Sequence, residues 1–108
     1  MSKFMDNKQE MLLAIENYDC YTLVQRKILQ CLVEVAINET VVITPDKLAK
    51  MVGTTRSTIY PALKLFREDN FIIPDHKRKE RSKKLLLNKE KLKEVIEIFQ
   101  KQRNFIQK

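Results

Sequence analysis

Hydroxyl, guanidinium and phenol side chains are concentrated in one short stretch of this chain. Its polar members are Thr55, Arg56, Ser57, Thr58, Tyr60 and Lys64. Hydroxyls and backbone N–H groups at the start of a helix bind phosphate, and an arginine can donate two hydrogen bonds to a guanine edge. These residue types, in this order, indicate contacts to double-stranded DNA.

A strongly basic segment follows at residues 77–84. Six of its eight residues are cations and Glu80 is its one acid. The cations are Lys77, Arg78, Lys79, Arg81, Lys83 and Lys84. Beside a helix that enters the major groove, such cations contact phosphates or the minor groove. An acidic protein partner would satisfy the same charge, so a protein–protein contact is an alternative.

Two helices must position the first group of residues. Thr44-Pro45-Asp46 predicts a helix start, because Thr caps, Pro suits the first helical position and Asp faces the positive end of the dipole. Gly53 predicts the left-handed end of that helix. A second helix then runs from about Thr55 to Asp69, and Asn70 is expected to end it. Its predicted inward face comprises Ile59, Ala62, Leu63 and Phe66. Together these elements predict a helix-turn-helix at about residues 44–69.

Pro61 does not suit this second helix. It lies too far into the helix to escape the loss of a backbone hydrogen bond, unless the helix begins near Ser57 or Thr58. A kink or a late start would tilt the first turn toward the groove, whereas a tolerated defect would have no functional meaning. The sequence leaves both interpretations open.

Short β-branched or apolar runs flank the basic segment. Phe71–Ile73 and Leu85–Leu87 predict two paired strands, which would form a hairpin wing at about residues 71–87. Val41–Ile43 predicts one further strand. Upstream, a helix at residues 23–37 would bury Val24 together with Ile28, Cys31, Leu32 and Val35.

The terminal helices, at about residues 7–17 and 89–105, carry apolar stripes. The stripe residues are Met11, Leu12, Ile15, Leu92, Val95, Ile96, Phe99 and Ile106. An exposed stripe would leave an apolar patch that soluble proteins normally cover. Pairing across a two-fold axis would bury it and place two recognition helices about 34 Å apart, so we expect a homodimer. The alternative is that both helices fold back on their own domain.

The order of these elements predicts a mainly α chain with a small β-hairpin wing: one winged-helix domain at residues 1–108 with extra terminal helices. The run Leu48-Ala49-x-x-Val52-Gly53-x-Thr55-Arg56-Ser57-Thr58-Ile59 resembles the helix-turn-helix of bacterial transcriptional regulators. The block Thr58-Ile59-Tyr60-Pro61-Ala62-Leu63-Lys64 is similar to the recognition helix of the PadR family. This resemblance covers residues 44–88 and implies a dimeric transcriptional regulator.

Residues 75–84 depart from that family, because PadR-type wings usually contain glycine and an aromatic residue and this segment has neither. The chain is also similar, in size and in its terminal helices, to the TubR-like winged-helix adaptors of plasmid or phage systems. That resemblance implies a partition or replication adaptor that hands DNA to a partition NTPase or a replication protein.

The net charge of +7 is unevenly distributed. Residues 1–45 carry four Lys/Arg against six Asp/Glu, a net of −2. Residues 46–88 carry eleven against five, a net of +6, and residues 89–108 add +3. Because the positive charge coincides with the helix-turn-helix and the segments after it, we expect a polyanionic partner.

Other function classes find little support in the sequence. Cys20 and Cys31 are far from His76, so neither a metal site nor a cofactor is expected. A glycine-rich phosphate loop and a Cys–His nucleophile are both missing, so we expect no enzymatic activity. The most apolar window, Ile28–Ile37, contains Gln30 and Glu34 and is too short to span a bilayer. We therefore expect a cytoplasmic protein with no membrane partner.

Overall fold

The chain forms five helices and one small sheet within the residues that the computed structural model describes, 8–73 and 84–106. The helices are α1 (Lys8–Glu16), α2 (Leu23–Val35), α3 (Pro45–Val52), α4 (Arg56–Glu68) and α5 (Lys89–Ile106). The strands are β1 (Thr40–Val42) and β2 (Lys84–Leu86), paired antiparallel. A mainly helical chain with a small antiparallel sheet is therefore confirmed.

Side chains cap three of the helices at their N-termini. Thr22 forms a reciprocal capping box with Gln25 at the start of α2. The Thr44 hydroxyl accepts a 3.1 Å hydrogen bond from the Lys47 backbone N–H at the start of α3. At α5, Asn88 Oδ1 accepts the backbone N–H two residues further on at 3.0 Å. Each cap satisfies a backbone donor that the helix itself leaves unpaired, and the Thr44 cap was predicted from the sequence.

Two left-handed residues end α3 and follow α4. Gly53 has φ 83° and donates its N–H to the carbonyl of Ala49 at 2.9 Å. Asn70, at φ 69°, follows the last residues of α4. Both positions confirm the predicted helix ends. Between them, α4 continues through Pro61 as one helix.

The sheet differs from the predicted hairpin in its pairing. Thr40 faces Leu86 and Val42 faces Lys84, so β2 pairs along its length with β1. The predicted strand Phe71–Ile73 contributes a single antiparallel bridge, from Ile72 to Leu87 directly after β2. Its last N–H donates to the Leu86 carbonyl at 2.8 Å. The upstream strand begins one residue earlier than predicted, at Thr40, because a tight turn returns the chain there after α2.

One apolar core joins all five helices and both strands. Its largest fully buried side chains include Phe66, Phe71, Ile15, Ile28, Leu48 and Leu92. On α2 the prediction for Val24 was wrong, because burial begins one turn later, at Ile28, and Val24 is 40% exposed. Leu29 and Val33 are buried on this helix as well.

The apolar stripes of the terminal helices face their own chain. Six of the eight residues predicted at a dimer interface are buried in the core: Met11, Ile15, Leu92, Val95, Ile96 and Phe99. Leu12 is half-buried against the same core, and the side chain of Ile106 lies outside the described part. Because α1 packs on both α2 and α5, the described part of these stripes is covered by the chain itself and gives no argument for a dimer. The dimer itself stays a prediction.

None of the helices in residues 8–73 and 84–106 is long and apolar enough to cross a membrane.

Candidate nucleic-acid interface

The outer face of α4 carries the polar residues that the sequence singled out. Thr55, Arg56, Ser57, Tyr60 and Lys64 are exposed, and Thr58 is half-buried. On the opposite side, Ile59, Ala62, Leu63 and Phe66 are buried in the core. The predicted division of α4 into an inward apolar face and an outward polar face is therefore confirmed. One helical surface presents hydroxyl, guanidinium, phenol and ammonium groups together.

The back of α4 is fixed by aromatic packing that the sequence analysis missed. The Phe66 ring lies 5.5 Å from the Tyr21 ring and 6.3 Å from the Phe71 ring, centroid to centroid. Tyr18 adds edge contacts to Tyr21 and Phe71. Such contacts stabilise beyond the area they bury. They hold α4 against the turn between α1 and α2, so the outer face of α4 has a defined orientation.

Three hydroxyls meet at the first turn of α4. Thr55 is the N-cap residue, and its Oγ1 lies 2.9 Å from Ser57 Oγ and 3.3 Å from Thr58 Oγ1. Among the residues described, no backbone N–H of this turn donates to the Thr55 side chain. Thr55 therefore does not cap α4 through its side chain. The first turn instead presents clustered hydroxyls at the positive end of the helix dipole, an arrangement that suits an anion.

Arg56 is held by two neighbours. Its Nε lies 3.1 Å from Asp46 Oδ1 on α3, and its Nη2 donates a 2.9 Å hydrogen bond to the Tyr60 hydroxyl one turn along α4. The guanidinium carbon also lies 5.7 Å from the centre of the Tyr60 ring. The Tyr60 hydroxyl, and after it the Asp46 carboxylate, raise the pKa of Arg56 above its ordinary value. Arg56 is therefore a permanent and partly ordered cation at the exposed start of α4.

In the sequence, Asp46 is recognisable only as a helix-start residue, and nothing there connects it to Arg56. The two residues are ten positions apart in different helices, so no periodic pattern joins them. Their contact depends on how α3 and α4 pack around the Gly53 turn. Only the folded geometry reveals this pair.

Two exposed lysines of α3, Lys47 and Lys50, were also missed. They lie on the helix that precedes the Gly53 turn, at positions left outward by the buried Leu48 and Ala49. In a helix-turn-helix, the first helix crosses the phosphate backbone. Lys47 and Lys50 flank two buried residues on a helix that the sequence predicts. That pattern could have identified both lysines as exposed.

Most of the predicted basic segment lies outside the described residues: Lys77, Arg78, Lys79, Arg81 and Lys83. Its last member, Lys84, begins β2, is exposed and faces Val42 across the sheet. Because β2 is attached to the core through Leu87, the segment ends on a fixed strand.

Cys20 is exposed and Cys31 is buried. Burial, and the charge of Glu34, raise the pKa of the Cys31 thiol, which disfavours the thiolate that metals and electrophiles require. Within residues 8–73 and 84–106, no cluster of three His, Cys, Asp or Glu side chains could hold a metal ion. Among the described residues, the polar side chains on α4 are therefore the best-supported candidate for a binding site.

In comparisons with known proteins, no family model, no curated protein and no solved structure matches this chain.

Proposed function

We propose that this chain is a winged-helix protein that binds double-stranded DNA sequence-specifically, with α4 in the major groove. The observation that carries the proposal is the outer face of α4, where Arg56, Tyr60 and Lys64 stand exposed opposite a fully buried face. A major groove about 12 Å wide admits one α-helix. In that position, Arg56 would donate to a guanine edge, while the hydroxyls of the first turn and Lys64 would contact phosphates.

The arrangement around α4 supports the same proposal. A short helix, a tight turn at Gly53 and then α4 follow the order of a helix-turn-helix. The strand β2 and the bridge at Ile72 bracket residues 74–83, which contain most of the basic segment, in the way that strands bracket a wing. In this proposal the cations at 77–84 lie along the DNA backbone or in the minor groove, and Lys47 and Lys50 add phosphate contacts from α3.

Charge favours DNA over a neutral partner. Residues 46–88 carry a net charge of +6, whereas residues 1–45 carry −2. A positive charge concentrated in one part of the chain attracts a polyanion. Binding should therefore weaken steeply as salt rises, because each phosphate contact releases counterions.

We assign regulation of transcription, by a cytoplasmic homodimer, as the biological role. A partition or replication adaptor is the alternative role, and it would differ in the arrangement of its DNA sites. A regulator binds one short, symmetric operator, whereas an adaptor binds an array of repeats beside the gene of a partition NTPase or replication protein. Selection of bound fragments from random and genomic DNA distinguishes the two.

The test of DNA binding uses the full chain and a random DNA pool. Wild-type protein should enrich a defined sequence, and Arg56→Ala should lose preference at one base pair at a cost of about 1–3 kcal/mol. Arg67→Ala is the matched control, because it removes the same charge from the exposed far end of α4. The control should weaken all sequences alike.

Two results would contradict the proposal. If the wild type enriches no sequence and binds duplex DNA no more tightly than other polyanions, α4 is not a recognition helix. If an acidic protein is retained at a salt concentration that releases all DNA, the basic surface serves protein–protein contact.

A further inference from the structure

Asp46 is placed to control how Arg56 meets DNA. We infer that Asp46 is a positioning residue that sets the sequence specificity of α4 by holding the Arg56 guanidinium in place before DNA arrives. This inference rests on the proposed function, since it concerns the same surface. Asp46 contacts Arg56 directly and has no assigned contact to DNA.

The geometry leaves the right donors available. A guanidinium has five N–H groups. Asp46 Oδ1 engages Nε at 3.1 Å and the Tyr60 hydroxyl accepts from Nη2 at 2.9 Å. Among the described residues, the Nη1 donors and the second Nη2 donor of Arg56 have no other partner in the fold. Nη1 and Nη2 together form the pair that can donate to O6 and N7 of one guanine.

Two anchors restrict a side chain that is otherwise highly mobile. An exposed ion pair alone contributes little, and both partners here are well exposed, at 59% for Arg56 and 64% for Asp46. The Tyr60 hydroxyl and ring add a second attachment to the same guanidinium. Rotamer freedom lost before binding is not lost again on binding, which improves affinity for the one base that fits.

The backbone position of Asp46 is also fixed. It is the second residue of α3, whose start is set by the Thr44 cap and by Pro45 at the first helical position. Asp46 therefore keeps its place relative to α4 through the packing of α3 on α4. A carboxylate on a rigid helix end can orient an arginine, whereas one on a long loop could not.

Asp46 also carries a negative charge on a surface that would face phosphates. That charge lowers affinity for every sequence equally. Removing it should therefore strengthen non-specific binding while it weakens discrimination. These opposite effects separate a positioning role from a purely electrostatic one, which would change both affinities in the same direction.

The test compares Asp46→Ala with Glu68→Ala, a matched loss of one exposed acid from the far end of α4. Affinities for the selected site and for a scrambled duplex are measured at about 0.15 M salt. Asp46→Ala should lower the ratio of specific to non-specific affinity by about threefold to tenfold, and Asp46→Glu should restore part of it. Glu68→Ala should raise both affinities and keep their ratio.

A second measurement follows how well the Nε–H of Arg56 is protected from exchange with water in the absence of DNA. The Nε–H signal of Arg56 in nitrogen-15 NMR should exchange slowly with water in the wild type. It should exchange faster in Asp46→Ala and remain slow in Glu68→Ala. Equal exchange in Asp46→Ala and wild type would overturn the inference.

The outcomes separate the two claims. A wild type that discriminates between sequences, together with an Asp46→Ala variant that keeps the full ratio, overturns only the positioning role. A wild type that does not discriminate between DNA sequences overturns the proposed function and this inference with it.

Discussion

The Tyr21 hydroxyl donates a 2.6 Å hydrogen bond to Asp69 Oδ2, across 48 residues of sequence. Tyr21 lies in the turn between α1 and α2, and Asp69 is the C-cap residue of α4. The Tyr21 side chain is almost fully buried, and its ring packs against Phe66 of the same helix. One residue therefore joins the end of α4 to the N-terminal part of the fold by both a polar and an apolar contact.

Tyr21→Phe should destabilise the protein by about 2 kcal/mol, because a hydrogen bond to a carboxylate is lost and the aromatic packing is kept. The free energy of unfolding in urea at pH 7 measures the effect. Tyr18→Phe is the control, since Tyr18 is less buried and contacts no carboxylate through its hydroxyl in the described chain. Equal losses in the two variants would show that the Asp69 contact contributes nothing.

Stability should fall as the pH rises above about 10. Burial, and after it the hydrogen bond to Asp69, raise the pKa of Tyr21 above its ordinary value. Burial also raises the pKa of Tyr18 to about 12. An unfolded chain then loses phenol protons near pH 10 that the folded chain keeps, so alkali favours unfolding. The contribution is complete below that pH and disappears as the pH rises through the folded-state values.

The free energy of unfolding between pH 8 and pH 11 tests this dependence. The double variant Tyr18→Phe/Tyr21→Phe should show a flatter decline than the wild type, because two raised phenol pKa values are gone. Parallel curves would mean that neither phenol is linked to folding.

Local chemistry explains which parts of the fold the sequence predicted. Thr44 and Gly53 were placed correctly because a cap or a left-handed turn depends on a few adjacent residues. The Arg56–Asp46 and Tyr21–Asp69 pairs were not predicted, because each joins separate elements whose packing no local pattern specifies.

The terminal helices show a different limit. The periodicity of Leu92, Val95 and Phe99 correctly identified an apolar face on α5. Periodicity states which face avoids water and says nothing about what covers it. In the structure, α1 of the same chain packs against the apolar face of α5. The sequence alone does not distinguish this arrangement from packing against a second chain.

Gly53→Ala should cost about 1–2 kcal/mol. Gly53 adopts φ 83°, and an added Cβ would meet no atom within 4 Å, so the cost is conformational rather than steric crowding by neighbours. Urea unfolding measures it. Gly53→Asn is the matched control and should lose less, because Asn tolerates left-handed geometry. An alanine variant as stable as the wild type would show that the turn between α3 and α4 can rearrange at no cost.

Pro61→Ala should stabilise the isolated protein by about 1–3 kcal/mol. Pro61 is exposed in the middle of α4 and has no N–H to donate to the carbonyl of Ser57. Thermal and urea unfolding measure the gain, and Lys64→Ala, at another exposed position of α4, should change stability by less than about 0.5 kcal/mol. If stability rises while DNA affinity falls, the proline shapes the first turn for the groove. A destabilised Pro61→Ala variant would contradict the expectation.

The remaining prediction concerns assembly. Because the apolar stripes of α1 and α5 are buried, a substitution within a stripe tests folding rather than an interface. Phe99 belongs to the core of its own chain, with 9% exposure. Phe99→Asp should therefore unfold the protein, at a cost of at least about 3–5 kcal/mol, whatever its oligomeric state. Loss of a dimer in that variant would say nothing about an interface.

Exposed apolar residues on the terminal helices give the sharper test. Leu13 on α1 and Ile98 on α5 are 43% and 46% exposed, so aspartate at either position should leave the fold intact. We expect light scattering at micromolar concentration to give the wild type a mass of twice the 12.8 kDa chain. If Ile98→Asp or Leu13→Asp returns the mass to one chain while the circular dichroism spectrum stays unchanged, the interface uses the outer faces of these helices. A wild-type mass of one chain would instead mean that the fold-back of α1 and α5 satisfies both helices, and that two DNA half-sites about 34 Å apart are not required.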